Sequence, residues 1–323
     1  VHTLTCSLTH LLTHSLTHSL THSLTHSLTH SLTCSLVQGV AISVTDRWGN
    51  TPLRDAIRAN RTEAKAQAAV ALGAKWCATA KDLIQQSDIV ICLLTNEQAL
   101  DDVYFSSNGL LSAPANGKLI IEMSTVSPDK QSVMAQNAST VGVKYLECPV
   151  GGSIGPAKEG KLIGFVGGSA EDLEIAKPLL EQMCKRVEHV GNHGAGSMMK
   201  LAINLPLLVY WHTFAEALSL IQPLGLDPKR VIDIFSETSG GPNLLKNRGA
   251  FIAQSLIDGK SDTVNVTLNT VIKDLSAMRT HAKTLNRELP LTELAMANFE
   301  ASAKSGLGDA DAAEHLVRWL KKA

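Results

Sequence analysis

The sequence predicts a parallel-sheet α/β domain followed by an all-α domain, with a disordered repeat in front, and three observations lead there. Short apolar runs such as Ile89-Val90-Ile91-Cys92-Leu93-Leu94 and Leu119-Ile120-Ile121 alternate with helical patterns. Apolar strands spaced by helices imply parallel pairing with both sheet faces covered. Beyond Gly191 only helical periodicity remains. The opening is almost pure Thr-His-Ser-Leu, a composition that cannot bury a core. The expected organisation is therefore a low-complexity repeat over 1–36, an incomplete sheet domain over 37–190 and an all-α domain over 191–323.

The repeat runs from residue 9 to 36, and seven of the 12 histidines (His2, His10, His14, His18, His22, His26, His30) lie in this opening stretch. A tetranucleotide DNA repeat read through successive frames returns four codons, which accounts for the four-residue period. Thr and Ser are poor helix formers with local hydrogen-bonding alternatives, so disorder is expected. The histidine ladder could bind zinc or nickel loosely, but a regular run without carboxylate or thiolate partners more often reflects composition than a metal site, and no metal is predicted. The stretch lacks both the basic start of a secretory signal and the arginines of a transit peptide, which predicts a cytoplasmic protein.

Val40-Ala41-Ile42-Ser43-Val44 reads as a strand and 46–50 as a turn. Thr51 as N-cap and Pro52 at the first helical position predict a helix over 51–59. The pattern from Asp46 to Ala56 also looks like the opening of one ankyrin repeat, but one repeat cannot bury its own core and is read as a fragment. Helices are then expected over 62–72 and 81–86, strands over 89–94 and 119–123, a helix over 128–138, a strand over 144–146 and a hairpin-like pair around 161–166. In the second half, helices are expected over 197–221, 228–235, 267–285 and 291–304.

Composition excludes several function classes. The 323 residues carry 29 Lys+Arg against 30 Asp+Glu, a net charge of -1, and 4% are aromatic. The chain offers neither a basic field for phosphate backbones nor rings for base stacking, so no nucleic-acid partner is expected. The greasiest stretch, 201–211, is interrupted by Asn204 and Pro206 and falls short of the roughly 18 apolar residues of a membrane span, so no membrane partner is expected either. Six cysteines without a C-x-x-C pair exclude zinc spacing and favour free thiols.

Three segments carry candidate chemistry. In Gly194-Ala195-Gly196-Ser197-Met198-Met199-Lys200-Leu201-Ala202-Ile203-Asn204, Lys200 and Asn204 are four residues apart and share one helix face. A lysine and an amide on an apolar helix are costly to bury, so they project into a polar cleft between the domains or the lysine snorkels to solvent. Glu147-Cys148-Pro149-Val150-Gly151-Gly152-Ser153-Ile154-Gly155 leaves a strand for a glycine-rich loop, whose backbone N–H groups suit a carboxylate or simply turn the chain. Lys273, in Val271-Ile272-Lys273-Asp274-Leu275, is a third cation on a late helix.

Together and in this order, the three segments resemble the β-hydroxyacid dehydrogenase family, which includes 3-hydroxyisobutyrate dehydrogenase, tartronate semialdehyde reductase and glyoxylate-reductase relatives, over roughly residues 60–323. The family pattern Gly-x-Gly-x-x-x-Lys-x-x-x-Asn matches from Gly194 to Asn204. Its loop Asp-x-Pro-Val-Ser-Gly-Gly corresponds to Glu147-Cys148-Pro149-Val150-Gly151-Gly152-Ser153, with the serine in the third of the last three positions. The resemblance implies a truncated Rossmann-like domain ahead of the helical one. It implies a small carboxylate substrate held by Gly151, Gly152, Ser153 and Asn204, with Lys200 as general acid/base. Burial beside the cofactor would bring its pKa down from about 10.4. Cofactor contacts fall on Asn60, Arg61 and Thr62, on Leu93, Leu94 and Thr95, on Ser124 and Thr125, and on Lys273. Arg61 suits a 2′-phosphate, so NADP is expected, with NAD possible. The resemblance also implies a homo-oligomer paired through the helical domain.

One family feature is missing. No G-x-G-x-x-G stands upstream of Asn60; the strand over 40–44 and the turn over 46–50 offer a substitute in which only Gly49 lacks a side chain. Either the N-terminus has been replaced or the chain is a family member that no longer turns over cofactor and acts as a binding or dimerisation protein.

Overall fold

The computed structural model describes residues 41–44, 57–59 and 75–321. The repeat over 1–36, the ankyrin-like pattern up to Ala56 and the helix expected over 62–72 lie outside the described residues. The chain forms two compact units, 1–200 and 201–323.

The described strands of the first unit form one sheet: β1 (Ala41–Val44), β2 (Ile57–Ala59), β3 (Lys75–Trp76), β4 (Ile89–Cys92), β5 (Leu119–Glu122), β6 (Lys144–Glu147), β7 (Val150–Gly151), β8 (Leu162–Gly167) and β9 (Cys184–Gly191). Their order is β3-β2-β1-β4-β5-β6-β8-β7, with β9 also on β8. Strands β4, β5 and β6 are parallel, with Glu122 in register with Glu147. The intervening helices are α1 (Ala80–Gln85), α2 (Glu97–Phe105), α3 (Pro128–Thr140), the short α4 (Ile154–Lys158) and α5 (Ala170–Met183).

The continuous apolar runs of β4 and β5 are explained by two cores, one on each face. Ile91, Leu119, Ile121 and Leu146 pack with Leu179, Leu180 and Met183 of α5. The alternate residues Val90, Cys92, Ile120 and Tyr145 pack with Leu83, Leu100, Tyr104 and Met134 of α1, α2 and α3. Period-two alternation feeds both cores, so no position on these strands can be polar unless it is satisfied internally.

Three expectations need correction. β1 does join the sheet beside β4, but antiparallel, whereas a substitute for the usual central strand would run parallel. The helix expected over 51–59 does not reach its end: Ile57–Ala59 form β2, antiparallel to β1. Pairing the backbone of the otherwise open β1 edge overrides the local helix-start signal. The hairpin-like pair around 161–166 is instead one strand, β8, whose antiparallel partner β7 lies upstream of α4. The parallel neighbour β9 carries Lys185, Arg186, Glu188 and His189, and this polar edge strand has no apolar run to announce it.

The second unit contains the greater part of α6 (Ala195–Ile221), then α7 (Pro228–Ser236), α8 (Asn243–Asp258), α9 (Leu268–Thr284), α10 (Pro290–Ser302) and α11 (Ala313–Lys321). Trp211, Phe214, Ile252, Leu275, Phe299 and Leu316 fill its core. No helix among the described residues is long and apolar enough to cross a membrane. Cys77, Cys92, Cys148 and Cys184 are free and buried.

Candidate active site

Parallel strands present their carboxyl ends, and the loops that follow them, along one sheet edge, where ligands of open α/β sheets bind. After β4 come Leu93, Leu94 and Thr95; after β5 come Met123, Ser124 and Thr125. The structure brings these two predicted loops together, because the Leu94 N–H donates to Ser124 Oγ at 2.6 Å. Each loop is pinned by the cap of the next helix. Asn96 Oδ1 accepts from the Ala99 N–H at 2.8 Å, and the Ser127 N–H donates to Glu97 Oε1 at 3.0 Å. Thr95 is exposed and Thr125 half-buried, whereas Ser124 is fully buried with its hydroxyl turned inward.

The residue organising this edge was not foreseen. Glu122 closes β5 and is fully buried. Its Oε1 accepts from the Ser124 N–H at 2.8 Å and its Oε2 from the Tyr104 hydroxyl at 2.7 Å. Burial pushes its carboxyl up to about 7, although the bonds from Ser124 and Tyr104 pull it back. Burial likewise pushes the neighbouring Tyr104 and Tyr145 phenols and the Cys92 thiol well above their usual values.

Glu147, at the end of β6, is the second unforeseen carboxylate. The Gly196 N–H donates to its Oε1 at 2.9 Å, and the Ser197 N–H and hydroxyl donate to its Oε2 at 3.3 and 3.0 Å. It therefore accepts the open N–H groups in the first turn of α6, as an N-cap carboxylate does. Burial raises its carboxyl while these donors lower it. The flanking glycines make room for this arrangement. Gly194 sits at φ +96°, and a Cβ on Gly196 would lie 2.4 Å from the Phe165 carbonyl oxygen. One signal in the sequence pointed to Glu122, a glutamate that follows the apolar run Leu119-Ile120-Ile121, whereas β6 opens on Lys144 and gave no such signal for Glu147.

Lys200 and Asn204 both lie on α6, one helical turn apart, and both are half-buried. Within the helical unit, the Asn204 amide Nδ2 donates to Asp274 Oδ2 at 3.4 Å, and Asp274 Oδ1 is 2.9 Å from Lys273 Nζ. Asn204 and Lys273 are thus brought together by Asp274, a buried residue given no role from sequence. Gly151 lies in β7; Gly152 follows at φ +128°, where a Cβ would meet Leu162 Cδ2 at 2.8 Å. Ser153 precedes α4, is exposed and makes no capping hydrogen bond through its side chain. Asn60, Arg61 and Thr62 lie outside the described residues.

Two family models match the chain in succession. The NAD binding domain of 6-phosphogluconate dehydrogenase covers residues 55–191, and the NAD-binding domain of NADP-dependent 3-hydroxyisobutyrate dehydrogenase covers 194–320. The chain is also 32% identical to the 3-hydroxyisobutyrate dehydrogenase of Pseudomonas aeruginosa, over 72% of this chain and 79% of that one. The chain belongs to the β-hydroxyacid dehydrogenase family. The Escherichia coli 2-hydroxy-3-oxopropionate reductase is 31% identical over 73% of this chain and 80% of its own length. Among solved structures, 3-hydroxyisobutyrate dehydrogenase from Salmonella typhimurium shares the fold with a TM-score of 0.75 at 22% identity, covering 91% of this chain and 96% of that one. Psf3 in complex with NADP+ and 2-OPP superposes with a TM-score of 0.72 at 25% identity, covering 80% and 89%. This β-hydroxyacid dehydrogenase is thus an NAD(P)-dependent oxidoreductase by family. At its sheet edge the exposed Thr95 and half-buried Thr125 stand on loops cross-linked by the Leu94–Ser124 bond.

Proposed function

We propose that this dehydrogenase is NADP-dependent and interconverts small β-hydroxy acids with their semialdehyde or keto acids, with Lys200 as general acid/base. The observation that carries this reading is the start of α6, where Gly196, with Gly167 of β8, leaves room for the Glu147 carboxylate and Lys200 and Asn204 follow one turn apart on a continuous helix. When bound, the nicotinamide supplies or accepts the hydride. In oxidation, the neutral Lys200 amine takes the hydroxyl proton as hydride leaves the carbinol carbon; in reduction, its ammonium returns that proton. Asn204, its Nδ2 committed to Asp274, turns its carbonyl oxygen to the substrate hydroxyl. The Gly151-Gly152-Ser153 backbone, with the exposed Ser153 hydroxyl, holds the carboxylate.

Cofactor contacts are assigned to the loops at Leu93, Leu94 and Thr95 and at Ser124 and Thr125, to Lys273, and to Asn60, Arg61 and Thr62. Arg61 supports NADP over NAD, because a guanidinium suits a 2′-phosphate. The relatives named above support a small hydroxy acid as substrate. The proposal includes a homo-oligomer paired through the helical domain, as the family resemblance implies, with the sheet domain over 37–190 and the helical domain over 191–323.

The test is hydride transfer by the full chain with NADPH and glyoxylate or tartronate semialdehyde, and with NADP+ and 3-hydroxyisobutyrate. Lys200→Ala is expected to lower kcat by about 10²- to 10⁴-fold; undiminished activity would overturn the assignment. The lack of a G-x-G-x-x-G upstream of Asn60 favours a second reading, a binding or dimerisation protein that no longer turns over cofactor. Calorimetry and turnover decide between them: tight NADPH binding counts directly against the second, and hydride transfer by the full chain excludes it.

A further inference from the structure

We infer that Glu147 is a positioning residue for Lys200, a role that rests on the proposed function of that lysine and goes beyond it. The buried carboxylate receives three donors, the Gly196 N–H, the Ser197 N–H and the Ser197 hydroxyl, all from the first turn of α6. Lys200 is the residue four after Gly196, the next position on the same helix face. No other turn of α6 is anchored through its backbone N–H groups in this way, because within a helix those groups bond to preceding carbonyls and only the first turn leaves them open.

The surrounding chain is built around this carboxylate. A Cβ on Gly167 would lie 2.1 Å from Glu147 Oε1, and one on Gly196 would lie 3.2 Å from Glu147 Cδ. Two glycines on different elements, β8 and α6, therefore leave the space that the side chain fills. The strand end and the helix start are 49 residues apart in sequence, so the clamp transmits the position of the sheet edge to the helix that bears the proposed acid/base. Glutamate also stands where the resembling motif has aspartate. Its extra methylene lengthens the reach from β6 to α6, and the two glycines accommodate it.

Glu147→Gln keeps the shape but leaves one acceptor oxygen and sets an amide donor against N–H donors. The expected result is a loss of about 10- to 100-fold in kcat, the scale of an ångström-level misplacement of a reacting group. KM for NADPH and kcat-normalising NADPH-binding stoichiometry should stay within about twofold. Glu147→Asp retains two acceptor oxygens and should recover part of the loss. Ser197→Ala removes one of three donors, is small enough to fold, and should show a weaker loss of the same kind. A purely structural role would lower the fraction of NADPH-binding sites and leave kcat per site intact.

Wild-type kcat per NADPH-binding site in Ser197→Ala together with either Glu147→Gln or Glu147→Asp overturns the inference. If Glu147→Gln fails to fold, Glu147→Asp and Ser197→Ala decide it alone. Lys200→Ala is assayed in parallel. Undiminished activity in that variant defeats the Lys200 assignment, whereas a dead Lys200→Ala beside fully active Glu147 and Ser197 variants defeats only the clamp.

Discussion

Replacing Glu122 with Gln should make stability depend on pH differently from wild type, by an amount set by the burial of one carboxyl. In the fold this group is raised from 4.5 to about 7, so the native state holds its proton more tightly than the unfolded chain. A raised pKa contributes stability fully present below the unfolded value and lost as pH climbs through the folded one. At about 1.4 kcal/mol per pH unit, the interval from 4.5 to 7 amounts to about 3 kcal/mol. Gln cannot ionise, yet its carbonyl can accept from the Ser124 N–H and its amide can donate to the Tyr104 oxygen, which now accepts. The two proteins should therefore be about equally stable at pH 4. Glu122→Gln should be the more stable by about 3 kcal/mol at pH 9. Urea unfolding at intervals from pH 4 to 9 measures the difference directly, and other titrating groups common to both proteins cancel in it. The groups facing Glu122 are Cys92 on β4, Tyr104 on α2, and Tyr145 and Glu147 on β6. Burial holds both phenols and the thiol above their usual ranges, and Glu147 is the one other carboxyl among these groups. A difference that stays flat from pH 4 to 9 would refute the assignment of a neutral-range carboxyl to Glu122.

Two further tests address the helical unit. His212 Nε2 meets the Ala295 carbonyl at 2.9 Å, its Nδ1 meets His315 Nε2 at 3.0 Å, and His315 Nδ1 meets the Ser302 hydroxyl at 2.9 Å. Burial lowers His212 to about 4, so its contribution is present above pH 6.5 and disappears as pH falls toward 4, about 3 kcal/mol in all. His212→Phe should flatten that acid limb in urea unfolding between pH 4 and 7.5, and an unchanged limb would contradict the lowered pKa of His212. Asp311 accepts from Arg248 at 2.9 and 3.1 Å and from the Asn265, Val266 and Ala313 N–H groups at 2.8, 3.2 and 2.9 Å. Asp311→Ala strands a largely buried guanidinium and should cost about 3–5 kcal/mol at neutral pH, read as a lowered denaturation midpoint by circular dichroism.

Much of this molecule is written in local pattern. Ile89–Cys92 and residues 119–121 are continuous apolar runs because both of their faces are buried, and α6 begins just after Gly194, which sits at φ +96°. Lys200 and Asn204 were legible for the same reason: helical spacing alone puts them one turn apart. Thr51 and Pro52 signalled a helix with equal clarity, yet Ile57–Ala59 became a strand, because the open edge of β1 offered backbone partners that a local cap could not match. β9 stayed hidden because an edge strand with polar faces has no apolar period.

The carboxylates mark the boundary between the two kinds of knowledge. The sequence by itself determined that apolar runs become buried strands, that a lysine and an amide share a helix face, and that the ordered motifs resemble those of a dehydrogenase family. Only the tertiary structure decided what Glu122 and Glu147 do, since their donors lie on α2 and at the start of α6. Periodicity reports which residues leave water; it holds no record of which distant N–H or O–H will satisfy a charge once water is gone, and that choice is made by packing.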